Sequence, residues 1–242
     1  MKDILNLFTL EDPELDLKRI REGSGLPNST CVRLVRNMVS DGLLTQVGTR
    51  YRIGISVLRW AAVAVQGLNL VEIANPILAS LRDATGEVAG LFVREGHQRV
   101  CIALSASTRA VGRTLTLGNV LPLHVGAPGK TLLAFDPASD DLLGSLRLDA
   151  LTDRTYTDRR SLAQELTRIR RDGFAVSHGE WDTEVAGVAA PIFGADGALV
   201  AAIGISGPVT RLTKDVLPDM IRSVAKAAAE VSTAHGSLPG KG

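Results

Sequence analysis

Gly23-Ser24-Gly25-Leu26-Pro27-Asn28-Ser29-Thr30-Cys31-Val32-Arg33-Leu34-Val35-Arg36-Asn37-Met38 joins a run of turn formers to a run with helical periodicity. Cys31, Leu34, Val35 and Met38 stand at i, i+3, i+4 and i+7, so they form one apolar stripe that must pack on neighbouring elements. The opposite face carries Thr30, Arg33, Arg36 and Asn37. Pro27 suits the first helical turn, and Asn28 or Ser29 can accept the orphan amide hydrogens there, which predicts a helix over 27–40. A short polar helix from residue 17 precedes the turn, and Asp41-Gly42 stops the second helix.

Outward from that helix, Leu44-Thr45-Gln46 and Arg50-Tyr51-Arg52-Ile53 flank Val47-Gly48-Thr49, which reads as a two-stranded hairpin. Period-two alternation turns Tyr51 and Ile53 inward and Arg50 and Arg52 outward. Between residues 17 and 60 the cations Lys18, Arg19, Arg21, Arg33, Arg36, Arg50, Arg52 and Arg59 face only Glu22 and Asp41. A helix, a turn, a second helix and a wing with that local excess of positive charge suit the major groove of DNA. Arg33 can bond a guanine edge or clamp a phosphate, and Asn28, Ser29 and Thr30 can reach phosphates or bases. Any single arginine of this set is equally at home as a solvated surface charge.

The basic character is local. The 242-residue chain has a formal net charge of +1 and is 45% hydrophobic, long enough for two domains. No secretory signal opens it, since residues 1–10 include Lys2 and Asp3 and lack a long apolar run, so a cytoplasmic location is expected. Cys31 on the packed helix face and Cys101 in the strand-like run Val100-Cys101-Ile102-Ala103-Leu104 read as buried small hydrophobes.

Residues 54–70 are apolar on most sides, with Arg59 and Gln66 the main polar interruptions. The run is too short for a membrane span, which takes about 20 apolar residues. A helix of this kind must be covered by protein, and a dimer partner or the rest of its own chain could do so. Beyond it the rhythm becomes mixed. Helices are expected at 71–85, 126–135, 161–172 and 213–234, and strands at 88–94, 99–105, 111–117, 174–177, 185–193 and 198–206. Gly194-Ala195-Asp196-Gly197 joins the last two strands as a hairpin. The expected class is α+β, an antiparallel sheet flanked by helices.

Leu26-Pro27-Asn28-Ser29-Thr30, Arg33-Leu34-Val35-Arg36, Gly42-Leu43-Leu44 and Tyr51-Arg52-Ile53-Gly54 together resemble the winged helix-turn-helix of the IclR (isocitrate lyase regulator) family of bacterial transcription factors. Leu121-Pro122-Leu123-His124, Gly129-Lys130-Thr131-Leu132-Leu133-Ala134, Gly173-Phe174-Ala175-Val176, Val188-Ala189-Ala190-Pro191-Ile192 and Ile205-Ser206-Gly207-Pro208 extend the resemblance over essentially the whole chain. The first helix, roughly 3–8, is shorter than the family usually shows. The resemblance implies a winged helix-turn-helix DNA-binding domain over 1–54, a linker and dimerisation helix over 55–70, a GAF-like effector-binding domain over 71–236 and a flexible tail over 237–242. It further implies a ligand-responsive regulator, more often a repressor, that binds an operator as a dimer or tetramer and needs no cofactor. The DNA-binding residues it points to are Asn28, Ser29, Thr30, Arg33, Arg36, Asn37, Arg50 and Arg52.

In relatives that bind small keto acids, the ligand sits beside the loop matching Gly126, Ala127 and Pro128 and faces strand positions matching Ser177, Gly187, Gly204 and Ser206. Those relatives place a carboxylate, a thiol and two hydroxyls at the four strand positions; this chain keeps two hydroxyls. Pro128 also lacks an amide hydrogen. A small, highly polar acid would lose partners, at about 1–3 kcal/mol for each unmade buried hydrogen bond. The expected effector is therefore larger or less polar than glyoxylate or pyruvate, with Arg113 a candidate for meeting one anionic group.

Other chemistries fit less well. Gly126-Ala127-Pro128-Gly129-Lys130-Thr131 resembles a phosphate-binding loop and would make a nucleotide-binding enzyme the alternative, but that loop needs a glycine where His124 stands. Gly204-Ile205-Ser206-Gly207 misses the nucleophile elbow, which wants glycine at Pro208. His97, His124, His178 and His235 include no pair at metal-binding spacing, and no catalytic or metal residue is assigned.

Overall fold

The computed structural model describes residues 1–9, 12–66, 69–107, 109 and 115–236, in two compact units, Met1–Leu68 and Asn69–Gly242. In the first unit, helix α1 (Lys2–Leu5) is followed by strand β1 (Glu14–Asp16), α2 (Leu17–Ser24), α3 (Asn28–Ser40), β2 (Leu44–Val47), β3 (Arg50–Ile53) and α4 (Ile55–Gln66). Asp16 caps α2 by accepting the Arg19 amide at 2.8 Å, and Gly25 ends it in the left-handed conformation at φ 63°. The apolar stripe of α3 is seated as its spacing requires: Cys31, Val35 and Met38 are buried with Ile4, Leu15, Ile20 and Leu44, and Leu34 packs at the rim. Full burial of a side chain the size of Met38 stabilises by about 1.5–3 kcal/mol.

Three local expectations are corrected. The wing has three strands in the order β1-β3-β2, because Glu14, Leu15 and Asp16 pair with Arg52, Tyr51 and Arg50. Ile53 lies opposite Leu44, on the inner face as alternation demands, yet it sits at the rim of the core and stays 37% exposed. Helix α3 starts at Asn28 with Pro27 as its N-cap and no side-chain cap, so neither Asn28 nor Ser29 is spent on amide hydrogens.

The second unit comprises α5 (Asn69–Thr85), β4 (Val88–Glu95), β5 (Gln98–Ser105), β6 (Val120–Pro122), α6 (Gly126–Phe135), α7 (Ser139–Ser145), α8 (Arg159–Asp172), β7 (Ala175–His178), β8 (Val185–Phe193), β9 (Leu199–Pro208) and α9 (Leu217–Gly236). Its six strands pair antiparallel in the order β6-β5-β4-β9-β8-β7. Ala186, Val188, Ala190, Ile192, Ala201, Ile203 and Ile205 face α5 and α9, whose Leu78, Val224 and Val231 complete that core. The alternate residues Ala175, Ala189 and Ala202 face α6 and α8 through Leu132, Leu133, Leu162 and Ile169. The strand expected at 111–117 is not formed by 115–117, and 111–114 lie outside the described residues; the sheet edge is instead β6. The tail at 237–242 also lies outside the described residues.

One irregularity positions the site. Leu91 of β4 pairs with Ala103, but its neighbour Phe92 pairs with Cys101, so Ile102 is the extra residue of a bulge. Ala103 therefore belongs to the α5–α9 core while Cys101 and Phe92 belong to the α6–α8 core. Arg99, in step with Cys101, is carried to the α6 side.

Candidate functional site

Two groups of side chains stand out. On α3, Asn28, Ser29, Arg33, Arg36 and Asn37 are exposed and Thr30 is half-buried, opposite the seated stripe. Arg50 and Arg52 are exposed on the central strand of the wing. The wing is held to the end of α3 by close backbone contact. Gly54 donates to the Leu43 carbonyl at 2.8 Å, and a Cβ on Gly54 would lie 2.0 Å from the Gly42 carbonyl oxygen. By contrast Arg19 is committed, with Nη2 3.0 Å from Asp12 Oδ2. The uncapped start of α3 also leaves backbone N–H groups facing outward, with the partial positive charge of a helix N-terminus.

The second group lies between the sheet and the start of α6. Gly126, Ala127, Pro128, Ser177, Gly187 and Ser206 line one small void together with Phe92, Arg99, Leu115, Asn119, Leu121, Trp181 and Val185. Gly126 takes φ 76°, a conformation open to glycine. A Cβ on Gly187 would sit 2.9 Å from the Ile205 carbonyl, so the glycine permits a close strand approach. Gly204 does not line the void; a Cβ there would meet the Val188 carbonyl oxygen at 2.4 Å and Ala189 Cβ at 3.0 Å. Arg113 lies outside the described residues.

The void measures about 20 Å³ and adjoins a much larger cavity of about 510 Å³, since Leu115, Val185 and Ser206 line both. The larger space is walled by Val88, Pro208 and Val209 and by charged groups, among them Glu87 and Arg211. These two form a fork-to-fork pair, each bond 2.6 Å, and the bonding to Glu87 raises the Arg211 pKa.

The glycine-lysine loop is built for packing. Lys130 is 1% exposed; its ammonium donates to Glu180 Oε1 at 2.5 Å, Glu165 Oε1 at 3.1 Å and the Val176 carbonyl at 2.9 Å, and lies 5.0 Å from the Tyr156 ring centroid. Glu180 Oε2 accepts the Gly126 amide at 2.8 Å, while Thr152 and Thr155 donate to the Gly179 and Glu180 carbonyls at 2.6 Å each. A Cβ on Gly129 would meet the Leu123 carbonyl oxygen at 2.6 Å. Burial works to raise the Glu165 pKa, but hydrogen bonds from Arg168 and Lys130 outweigh it and the net shift is downward. A lysine so engaged cannot reach a nucleotide phosphate. His124 is buried as well, its Nε2 3.0 Å from the Asp149 carbonyl oxygen.

Arg99 was not among the expected site residues. It is 3% exposed, its guanidinium carbon lies 4.9 Å from the Phe92 ring centroid, and its Nε and Nη1 are buried with no hydrogen-bond partner among the described residues. Burial lowers its pKa to about 10, with Cys101 and Glu180 acting in the opposite sense, so it stays cationic at neutral pH. The sequence held one signal for it: a charged residue two positions from Cys101, in phase with a side chain already read as buried.

Comparison with known proteins bears on both groups. The C-terminal domain of the bacterial transcriptional regulator IclR matches residues 62–233, and the IclR helix-turn-helix domain matches residues 3–48. The HTH-type transcriptional regulator KipR of Bacillus subtilis is 28% identical over 236 residues, covering 96% of this chain and 94% of KipR. The transcriptional repressor IclR of Escherichia coli K12 is 31% identical over 228 residues, covering 92% and 83%. These relatives are named as regulators, not enzymes. A solved regulator from Silicibacter sp. TM1040 superposes with a TM-score of 0.85 at 28% identity, over 98% of this chain and 95% of the other. An IclR homologue from Microbacterium hydrocarbonoxydans, solved with 4-hydroxybenzoate, has a TM-score of 0.83 at 23% identity over 98% of each chain, a likeness of fold. With both halves matched in order, the chain belongs to the IclR family of DNA-binding bacterial transcriptional regulators.

Proposed function

We propose that the chain acts as a cytoplasmic, effector-controlled repressor that grips its operator as a homodimer, with dimers pairing into tetramers as a further step. Residues 1–54 bind DNA, 55–70 pair subunits and 71–236 take the effector. The observation that carries the DNA reading is the division of α3. Its apolar side is seated in the core, with Leu34 at the rim, while the side chains of Arg33, Arg36 and Asn37 are exposed, with no side-chain hydrogen bond or ion pair among the described residues. Arg33 reads a base, Asn28, Ser29, Thr30, Arg36 and Asn37 reach bases or phosphates, the α3 amides take a phosphate, and Arg50 and Arg52 clamp the backbone from the wing. Family membership supports the same reading.

The void beside Gly126, Ala127 and Pro128, with Ser177, Gly187 and Ser206, is the effector's entry to the C-terminal unit; Gly204, sealed under Ala189, supplies no contact. With Glu180 on the Gly126 amide, the site suits a molecule larger and less polar than glyoxylate or pyruvate. An effector can release DNA only by binding the two arrangements of the paired DNA-binding domains unequally. Footprinting on the chain's own upstream region at stated salt, with and without a metabolite library, tests both halves. Arg33→Ala is expected to cost about 1–3 kcal/mol on the operator alone, whereas Arg52→Ala weakens every duplex alike. Equal losses on operator and random DNA would remove Arg33 from base reading, and an absence of salt-sensitive attraction to any duplex would reject the assignment.

A further inference from the structure

Arg99 presents an unusual expense for a folded protein: a buried guanidinium with Nε and Nη1 unbonded among the described residues. Leaving such donors unpaired is costly, and natural folds keep them where a water, an ion or a ligand completes the set. The candidate internal partner is Glu180, but its oxygens are turned to other donors, Oε1 to Lys130 and Oε2 to the Gly126 amide, and neither bonds Arg99 Nε or Nη1. At the start of α6 the Gly126 N–H is engaged by Glu180 and Pro128 has none, which leaves the Ala127 N–H as the backbone donor beside Arg99. Arg99 itself points into the void, for a Cβ on Gly126 would lie 3.3 Å from its Nη2. The Ile102 bulge is what brings it there.

Resting on the reading of this void as the effector site, we propose that Arg99 is its anion anchor and that the effector is a monocarboxylate with an uncharged, apolar or aromatic body. The carboxylate occupies the 20 Å³ end beside the guanidinium, where the Ser177 and Ser206 hydroxyls can donate to it. The body extends past Leu115 and Val185 toward the 510 Å³ cavity, whose Val88, Pro208 and Val209 accept apolar surface. A second carboxylate is disfavoured there, since Glu87, Asp182 and Glu184 outnumber Arg109 and Arg211 in the lining and Arg211 is already paired with Glu87.

The test is isothermal titration calorimetry on the full-length protein with benzoate against benzamide and phenylacetate against phenylacetamide. Each acid is expected to bind about tenfold or more tighter than its amide, the ratio appropriate to charge-assisted bonds against neutral ones. Arg99→Gln should bring acid and amide within about twofold, Arg99→Lys should restore part of the preference, and the unliganded Arg99→Gln protein should melt no lower than the parent, because a buried charge has gone. A preference for acid that survives Arg99→Gln overturns the anchor. So does a variant that melts lower and loses acid and amide alike, since that marks a structural arginine. If no acid binds the parent, the monocarboxylate class is rejected while the effector site still stands on the metabolite footprint. If acids bind but Ser206→Leu, which fills the void, leaves them untouched, the site itself is wrong.

Discussion

Cys101 shows how one residue's chemistry follows from its neighbours. Burial pushes its thiol up to about 11, although the Arg99 guanidinium pulls the other way, and the Sγ lies 3.4 Å from the Ala103 carbonyl oxygen. Only the thiolate reacts readily, so burial and the raised pKa act together. Cys31 is equally inaccessible, at 0% exposure on the buried face of α3. Titration of the native protein with a disulfide reagent at pH 8 is expected to label neither thiol until denaturant is added; rapid labelling of Cys101 would mean that the Arg99 layer opens to solvent. The burial of both cysteines was legible beforehand, because each stood in phase with an apolar repeat. For Arg99 only the phase with Cys101 was legible; the face it takes was not, since alternation counted straight from Ala103 takes no account of Ile102.

Among the elements, α6 depends most on polar partners. Lys130 ties it to Glu165 of α8 and to Glu180 just beyond β7, in a setting almost closed to water. Breaking a buried ion pair from one side leaves an uncompensated charge, so Lys130→Met should cost about 3–5 kcal/mol in chemical denaturation. The double variant Lys130→Met with Glu180→Gln should recover a large part of that loss. If the losses were instead additive, the two groups would not be coupled. Glu165 adds an acid limb: its pKa is held below the ordinary carboxylate value in the fold, so its contribution is intact above the unfolded pKa and is lost as pH falls through the folded one. The helices and long strands were readable because they repeat over three or more turns or pleats. Strand β1 was not, because Glu14-Leu15-Asp16 is three residues with one apolar side chain, and only pairing with β3 makes it a strand. Helix α7 was missed for the same shortness.

At the scale of the whole molecule, α4 carries exposed apolar side chains. Ile55 is 78% exposed, Leu58 65% and Val63 66%, with Trp60 beside them. Among the described residues no helix is long and apolar enough to cross a membrane. In the proposed homodimer, a second subunit covers this face. Leu58→Asp with Val63→Asp is expected to shift the sedimentation coefficient to that of a monomer and to weaken operator binding at least tenfold through lost bivalency, with little change in melting. An unchanged sedimentation coefficient would move the subunit contact elsewhere.

The bulge at Ile102 carries a consequence for how such a protein could diversify. Pleat parity changes at that extra residue: were β5 paired regularly through Ile102, Cys101 and Arg99 would share the face of Ala103 toward α5 and α9, and Gln98 and Val100 would turn to the α6 side. Charge preference is thereby written into strand register as well as residue identity.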